Sequence, residues 1–201
     1  MADHWDRPGW RDGRRTYHWM LTFPDHEQLR WLAHHCAGSV RHLAFDPVPL
    51  DGLHLTLRRI GYVDEVDAAL LDDVLGRARE RTAGLAPFPV TVGPLTGSPG
   101  AVMFSVTPWT ELFGLHDALC AAAGEVTGTD YPAAAQALRP HVSVAYSRAR
   151  QPARAVRAAI SHERWVRPVE AQVSAAELVE LRREGAAYRW TTVGRVELTA
   201  G

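Results

Sequence analysis

The chain predicts an α+β fold, and three observations carry that prediction. Segments with the two-residue period of strands interleave with segments of helical period along all 201 residues. One tetrapeptide pattern (His, apolar, hydroxyl, apolar) occurs twice in strand-like settings, as His54-Leu55-Thr56-Leu57 and as His141-Val142-Ser143-Val144. The composition, 46% hydrophobic and 22% charged, is that of an ordinary globular protein, sized for one domain or one domain with two lobes.

The elements follow in order. Residues 1–15 lack periodicity and read as an N-terminal tail. Arg7, Arg11, Arg14 and Arg15 with Trp5 and Trp10 there could form a basic aromatic arm for nucleic acid, but a poorly ordered terminus, or one docked by its tryptophans, is the favoured reading. A single domain is expected over 16–201. Residues 16–23 read as a strand that Pro24 breaks. Asp25 with Gln28 resembles a capping box, and Leu29, Leu32, Ala33 and Cys36 mark one face of the helix after it. A strand is expected over 40–47 and the first signature strand over 53–60. Asp64 opens a second helix with Val66, Leu70, Val74 and Ala78 on one face, ended by Gly84 and Pro87. Strands over 88–94 and 101–106 flank a Gly-Ser-Pro-Gly turn. Thr107-Pro108 fits an N-cap followed by proline at the first helical position. Leu112, Leu115, Leu119 and Ala122 then line a third helix. A short Ala-rich helix at 131–138 precedes the second signature strand, 140–147. Pro152 opens a fourth helix to about Ser161, and two strands near 174–183 and 187–198 close the chain.

Composition removes several chemistries. The 22 basic residues are all Arg, because the chain contains no Lys. A covalent lysyl-nucleotide, a Schiff-base lysine and a Gly-Lys-Ser/Thr phosphate loop are therefore excluded. A net charge of −1 gives no global attraction to nucleic acid or membrane, so a polyanion must be met by local patches. Cys36 and Cys120 do not make a disulfide framework. No apolar run approaches membrane-spanning length, and the polar, acidic start of the chain does not read as a signal peptide. A cytoplasmic protein with no membrane partner is expected.

The repeated tetrapeptide carries the chemistry. Side chains two apart in a strand share a face, so His54 and Thr56 point one way while Leu55 and Leu57 point the other. His141 and Ser143 stand in the same relation to Val142 and Val144. One copy alone describes a half-buried strand. Two copies offer a pair of imidazoles to take and give a proton near neutral pH, with two hydroxyls to hold a phosphate. All four side chains are expected to converge on one groove. On a straight strand Arg58 shares the His54 face and could clamp a phosphate. By the same alternation its counterpart is Ala145, and Tyr146 falls on the core side.

The stretches His54-Leu55-Thr56-Leu57-Arg58-Arg59-Ile60-Gly61 and Leu138-Arg139-Pro140-His141-Val142-Ser143-Val144-Ala145-Tyr146 resemble the two motifs of the two-histidine (2H) phosphoesterases, among them 2′-5′ RNA ligase-like proteins and RNA 2′,3′-cyclic phosphodiesterases. The resemblance implies two lobes related by a pseudo-twofold axis, antiparallel sheets with helices on the outer faces, and a central cleft. It implies a phosphodiesterase that needs neither metal nor cofactor and acts on a 2′,3′-cyclic or 2′-5′ linked nucleotide or RNA. His54 and His141 would be catalytic, with Thr56, Ser143 and Arg58 binding the phosphate. Reversible ligation without ATP is the corollary, and a monomer is expected. A non-catalytic module that binds RNA ends or a nucleotide is the alternative.

Other residues admit further readings. His18, His26, His34, His35 and His42 fall in the first quarter and would build a metal site only if the fold gathered them. His116 and His162 read as surface residues. Arg150, Arg154 and Arg157 form a basic stripe, either a solvated helix face or a guide for an RNA backbone.

Overall fold

The computed structural model describes residues 1–6 and 13–200. Among the described residues nine strands form two antiparallel sheets. The first sheet runs in the order β3 (His54–Tyr62), β1 (Arg15–Thr22), β8 (Ala175–Glu184), β9 (Ala187–Glu197). The second runs β2 (Phe45–Pro47), β6 (His141–Ser147), β5 (Ala101–Thr107), β4 (Phe88–Gly97), β7 (Val169–Val173). Each sheet carries one signature strand, and β3 and β6 lie against each other where the sheets meet. Helices α2 (Leu71–Thr82) and α3 (Trp109–Thr127) pack on the first sheet, and α1 (Glu27–Gly38) packs on the second. The short helices α4 (Ala134–Ala137) and α5 (Ala153–Ala159) flank β6 in sequence. Among the described residues no helix is long and apolar enough to cross a membrane.

The helices form where expected because their apolar stripes have a sheet to cover. Leu112, Leu115 and Leu119 on α3, Val74 and Ala78 on α2, and Leu29 and Leu32 on α1 are buried in one continuous core with the inward faces of both sheets. Helix α3 ends at Gly128, whose φ of 70° is the left-handed conformation glycine adopts without strain. Gly194 faces α2, where a Cβ would come within 2.4 Å of Leu75. This bare stretch of β9 lets the helix lie close to the sheet.

Several boundaries differ from the sequence reading. The cap of α1 is His26 rather than Asp25: its Nδ1 accepts from the Leu29 N–H, and its Nε2 lies 2.7 Å from the Glu170 carbonyl oxygen on β7. One imidazole thus ends a helix and ties it to a sheet edge. Only residues 45–47 of the expected 40–47 strand pair with β6, because the preceding segment turns on its own backbone bonds. The second helix begins at Leu71, after a 3₁₀ turn capped by Asp67. Thr107 stays in β5, and Pro108 takes the cap position of α3. Edge strand β7 had no counterpart in the sequence reading. Of the N-terminal segment, residues 1–6 dock on the protein. His4 is buried, and the Trp5 indole N–H donates to the Asp46 carboxylate at 3.0 Å. Arg7, Trp10 and Arg11 lie outside the described residues.

Leu119, on α3, is fully buried in the core. Leu119→Ala is expected to cost about 2–5 kcal/mol through lost burial and the cavity left behind. The urea midpoint should fall with an unchanged slope; a shift under about 0.5 kcal/mol would contradict this packing.

Candidate active site

The two sheets enclose a cavity of about 350 Å³ at their junction, lined by His54, Thr56, His141 and Ser143 among others. Four residues from two strands far apart in sequence therefore meet at one opening. Behind them Leu55, Leu57, Val142 and Val144 are buried.

Each histidine is oriented by the backbone just before its own strand. The His54 Nδ1–H donates to the Gly52 carbonyl at 2.8 Å, and the His141 Nδ1–H donates to the Arg139 carbonyl at 2.7 Å. A carbonyl only accepts, so these bonds assign the tautomer and leave each Nε2 available to a ligand. His54 is 8% exposed, with the rings of Tyr188 and Trp190 edge-on at 6.5 and 5.4 Å. Burial drives its pKa down to about 4, and the neighbouring His141 lowers it further against the contrary pull of the Gly52 carbonyl. His54 is therefore neutral at pH 7.

Both signature strands carry a β-bulge just after the hydroxyl residue. In the β1–β3 ladder Met20 faces Thr56 and Trp19 faces Arg58, so Leu57 is the extra residue. In the β5–β6 ladder Met103 faces Ser143 and Val102 faces Ala145, so Val144 is the extra residue. An extra residue inverts the alternation beyond it. Arg58 consequently leaves the cleft, which corrects its assignment to the phosphate site. Its guanidinium sits 5.2 Å from the Tyr131 ring centroid, and its Nε is buried without a hydrogen-bond partner. Arg59 takes the cleft face opposite His18 and lines the cavity. By the same inversion Tyr146, expected in the core, reaches the cavity in place of Ala145. Arg59 and Tyr146 are thus the true counterparts in the two halves.

Further lining residues come from segments without a motif. His18 stands on β1, with the Thr16 hydroxyl 3.0 Å from its Nδ1, and burial drives its pKa down to about 3. Tyr62 follows a second bulge in β3, at Ile60. Leu181 and Tyr188 come from the closing strands. His4 stacks on Tyr146 with ring centroids 4.0 Å apart, and its Nε2 is 2.8 Å from the Tyr188 hydroxyl. The doubled motif could have exposed the Arg59–Tyr146 equivalence only with knowledge of the bulges, and His4 sits in a stretch with no periodic signal.

The other early histidines are dispersed. His26 caps α1, and His35 pairs with Glu163 at 3.0 Å. Among the described residues no three His, Cys, Asp or Glu side chains gather into a metal-binding group. His116 is fully buried rather than on the surface, with its Nδ1 2.9 Å from an Asp117 carboxylate oxygen. Burial pushes the Cys36 thiol up to about 12 and the Cys120 thiol up to about 11, the reverse of what a nucleophile needs.

A family model described as the 2′-5′ RNA ligase superfamily matches residues 23–185. The chain is similar to the solved structure of TT0787 of Thermus thermophilus, at 23% identity and a TM-score of 0.64, covering 93% of this chain and 98% of that one. It is similar to E. coli LigT in its apo form, at 19% identity and a TM-score of 0.65, covering 92% and 98%. It is also similar to a protein described as a phosphoesterase, at 18% identity and a TM-score of 0.68, covering 92% and 99%. LigT has also been solved in complex with 3′-AMP and with phosphate. No curated protein matches the chain.

The low pKa values of His18 and His54 make stability depend on pH. Unfolded imidazoles titrate near 6.5, whereas the folded protein holds both rings neutral to about pH 3 and 4. The unfolded chain binds more protons in that interval, so stability falls as pH drops below about 6.5. Between pH 6.5 and 5, above the carboxylate range, each histidine should cost about 2 kcal/mol. The loss should appear as a falling urea midpoint and be roughly halved in His18→Gln. A midpoint flat over that window would refute the burial of these rings.

Proposed function

The chain belongs to the 2′-5′ RNA ligase superfamily, and from that premise we propose that it is a metal-independent phosphodiesterase acting on a 2′,3′-cyclic or 2′-5′ linked nucleotide or RNA. The observation that carries this reading is the matched pair of imidazoles, each with Nδ1–H held by a backbone carbonyl and Nε2 left for the shared cavity.

The low pKa of His54 suits it to the general base, because it is unprotonated throughout the neutral range. In hydrolysis of a 2′,3′-cyclic phosphate, its Nε2 takes a proton from water as the water oxygen attacks phosphorus. The bond from phosphorus to the 2′ or 3′ oxygen breaks on the opposite side, and His141, protonated, gives its Nε2 proton to that oxygen. Thr56 and Ser143 donate hydrogen bonds to the non-bridging oxygens as negative charge accumulates there. Arg59 at the rim supplies the positive charge that a straight strand would have assigned to Arg58. With a 5′-hydroxyl in place of water the same step joins two ends without ATP. The complexes of the related LigT with 3′-AMP and phosphate support a ligand of this class.

His54→Ala or His141→Ala should each lower kcat on a nucleoside 2′,3′-cyclic phosphate by about 10²–10⁴-fold, while circular dichroism stays native. Near-normal turnover in either variant on a confirmed substrate would end this reading. Activity should persist in excess EDTA. The acid limb of kcat/KM should lie near pH 4, the His54 value, rather than at 6.5. A second pair of variants separates the two arginines. Arg59→Ala should raise KM with little loss of thermal stability, whereas Arg58→Ala, which removes a side chain packed on Tyr131, should lower the melting temperature. The opposite pattern would restore Arg58 to the phosphate site.

A further inference from the structure

A second groove is larger than the histidine cleft. It measures about 1000 Å³ and lies between α5, the β4–β5 hairpin and the first two residues. Three arginines, Arg150, Arg157 and Arg164, line it together with Trp165, whose side chain is 89% exposed. Residues 148–167 hold six Arg and a single acid, Glu163, in a chain whose net charge is −1. Glu163 is itself paired with His35 at 3.0 Å. None of the three groove arginines forms an ion pair or side-chain hydrogen bond with another described residue. Arginines elsewhere do form ion pairs, as Arg15 does with Glu180 and Arg189 with Asp51. An unneutralised cluster of this kind repels itself, and an anionic ligand relieves that repulsion.

The groove adjoins the cleft. Met1 and Ala2 line the groove and His4 lines the cleft. This segment is pinned by the Ala2 N–H to the Pro99 carbonyl and the His4 N–H to the Ser147 carbonyl. Three residues span at most about 11 Å, so the nearest edges of the two sites lie within that distance. A stacked strand advances about 3.4 Å per nucleotide, which makes that distance about three nucleotides. Guanidinium groups along a channel beside an open indole are the combination that holds single-stranded nucleic acid, through phosphates and through base stacking.

We propose that this groove is a second binding site, for the single-stranded RNA tail that leads into the histidine cleft. It recognises a strand of several nucleotides, whereas the cleft alone holds the terminal phosphodiester. The link between the two sites rests on the proposed phosphodiesterase activity; the groove's affinity for RNA does not.

The test uses two probes. The first is a fluorescein-labelled ten-nucleotide RNA ending in a 3′-phosphate, followed by anisotropy and requiring no turnover. The second is a nucleoside 2′,3′-cyclic phosphate, compared in hydrolysis with the same ten-nucleotide RNA ending in a 2′,3′-cyclic phosphate. The triple variant Arg150→Ala/Arg157→Ala/Arg164→Ala should weaken binding of the labelled RNA at least tenfold. It should also flatten the slope of log Kd against log salt by about 2, the value for three lost contacts to a single strand. Trp165→Ala should weaken binding about fivefold or more. Both variants should hydrolyse the mononucleotide at the wild-type rate while KM for the cyclic-ended RNA rises. Unchanged RNA binding in the triple variant would overturn the groove. So would heparin or double-stranded RNA binding as tightly as the single strand and indifferent to Trp165→Ala. If the wild-type protein binds the RNA through these residues but hydrolyses neither substrate, the groove stands and the phosphodiesterase reading falls.

Discussion

One inserted residue in each signature strand governs what the cleft presents. A regular strand would send every second side chain into the cavity and would place Arg58 and Ala145 there. The bulges at Leu57 and Val144 reverse that order, so Arg59 and Tyr146 arrive instead. The cost is a residue without a cross-strand partner in each ladder. In β6 this is offset, since the Val144 carbonyl accepts from the Val48 N–H at 2.8 Å. The bulges also let each strand serve two surfaces. Leu57 and Val144 stay in the core while the residues around them are re-aimed. Because the same irregularity follows the hydroxyl in both halves, the cleft keeps its twofold character at three successive positions even though the third differs in chemistry.

Much of the architecture was legible in the sequence because amphipathic period and burial agree. The three long helices, both signature strands and the closing pair lie where alternation put them, although each of the three helices starts from a different cap than the sequence suggests. The same agreement put His54, Thr56, His141 and Ser143 on a shared face. What escaped the sequence reading was decided by contacts between distant segments. No local rule announces that Leu57 will be skipped in a ladder with β1, since the skip depends on the register of the partner. Nor does alternation reveal that His26 will cap a helix while reaching Glu170 on β7, or that His116 will be enclosed beside Cys120. Beyond the motifs, the cleft is assembled by tertiary pairing from β1, the closing strands and the first six residues.

The chain path explains why the aromatic wall of the cleft comes from its far end. The first sheet is completed only when β8 and β9 return to pair with β1, bringing Tyr188 and Trp190 against His54. These rings exclude water from one side of the imidazole and hold it neutral. His141, on the second sheet, is less buried than His54, and its ring is held by the Arg139 carbonyl. The two histidines occupy equivalent positions in sequence and fold, yet they differ in solvation. In the proposed mechanism that difference makes His54 the proton acceptor and His141 the donor.

Each imidazole is anchored to a carbonyl two residues earlier, in the segment that leads into its own strand, and among the described residues neither ring hydrogen-bonds to the opposite sheet. Ring orientation and proton placement are therefore internal to each sheet. Were the two halves to part slightly to admit a bulky ligand and then come back together, the gap between the imidazoles would change while their aim would not. A site organised in this way tolerates breathing at its mouth without losing the alignment that in-line displacement at phosphorus demands.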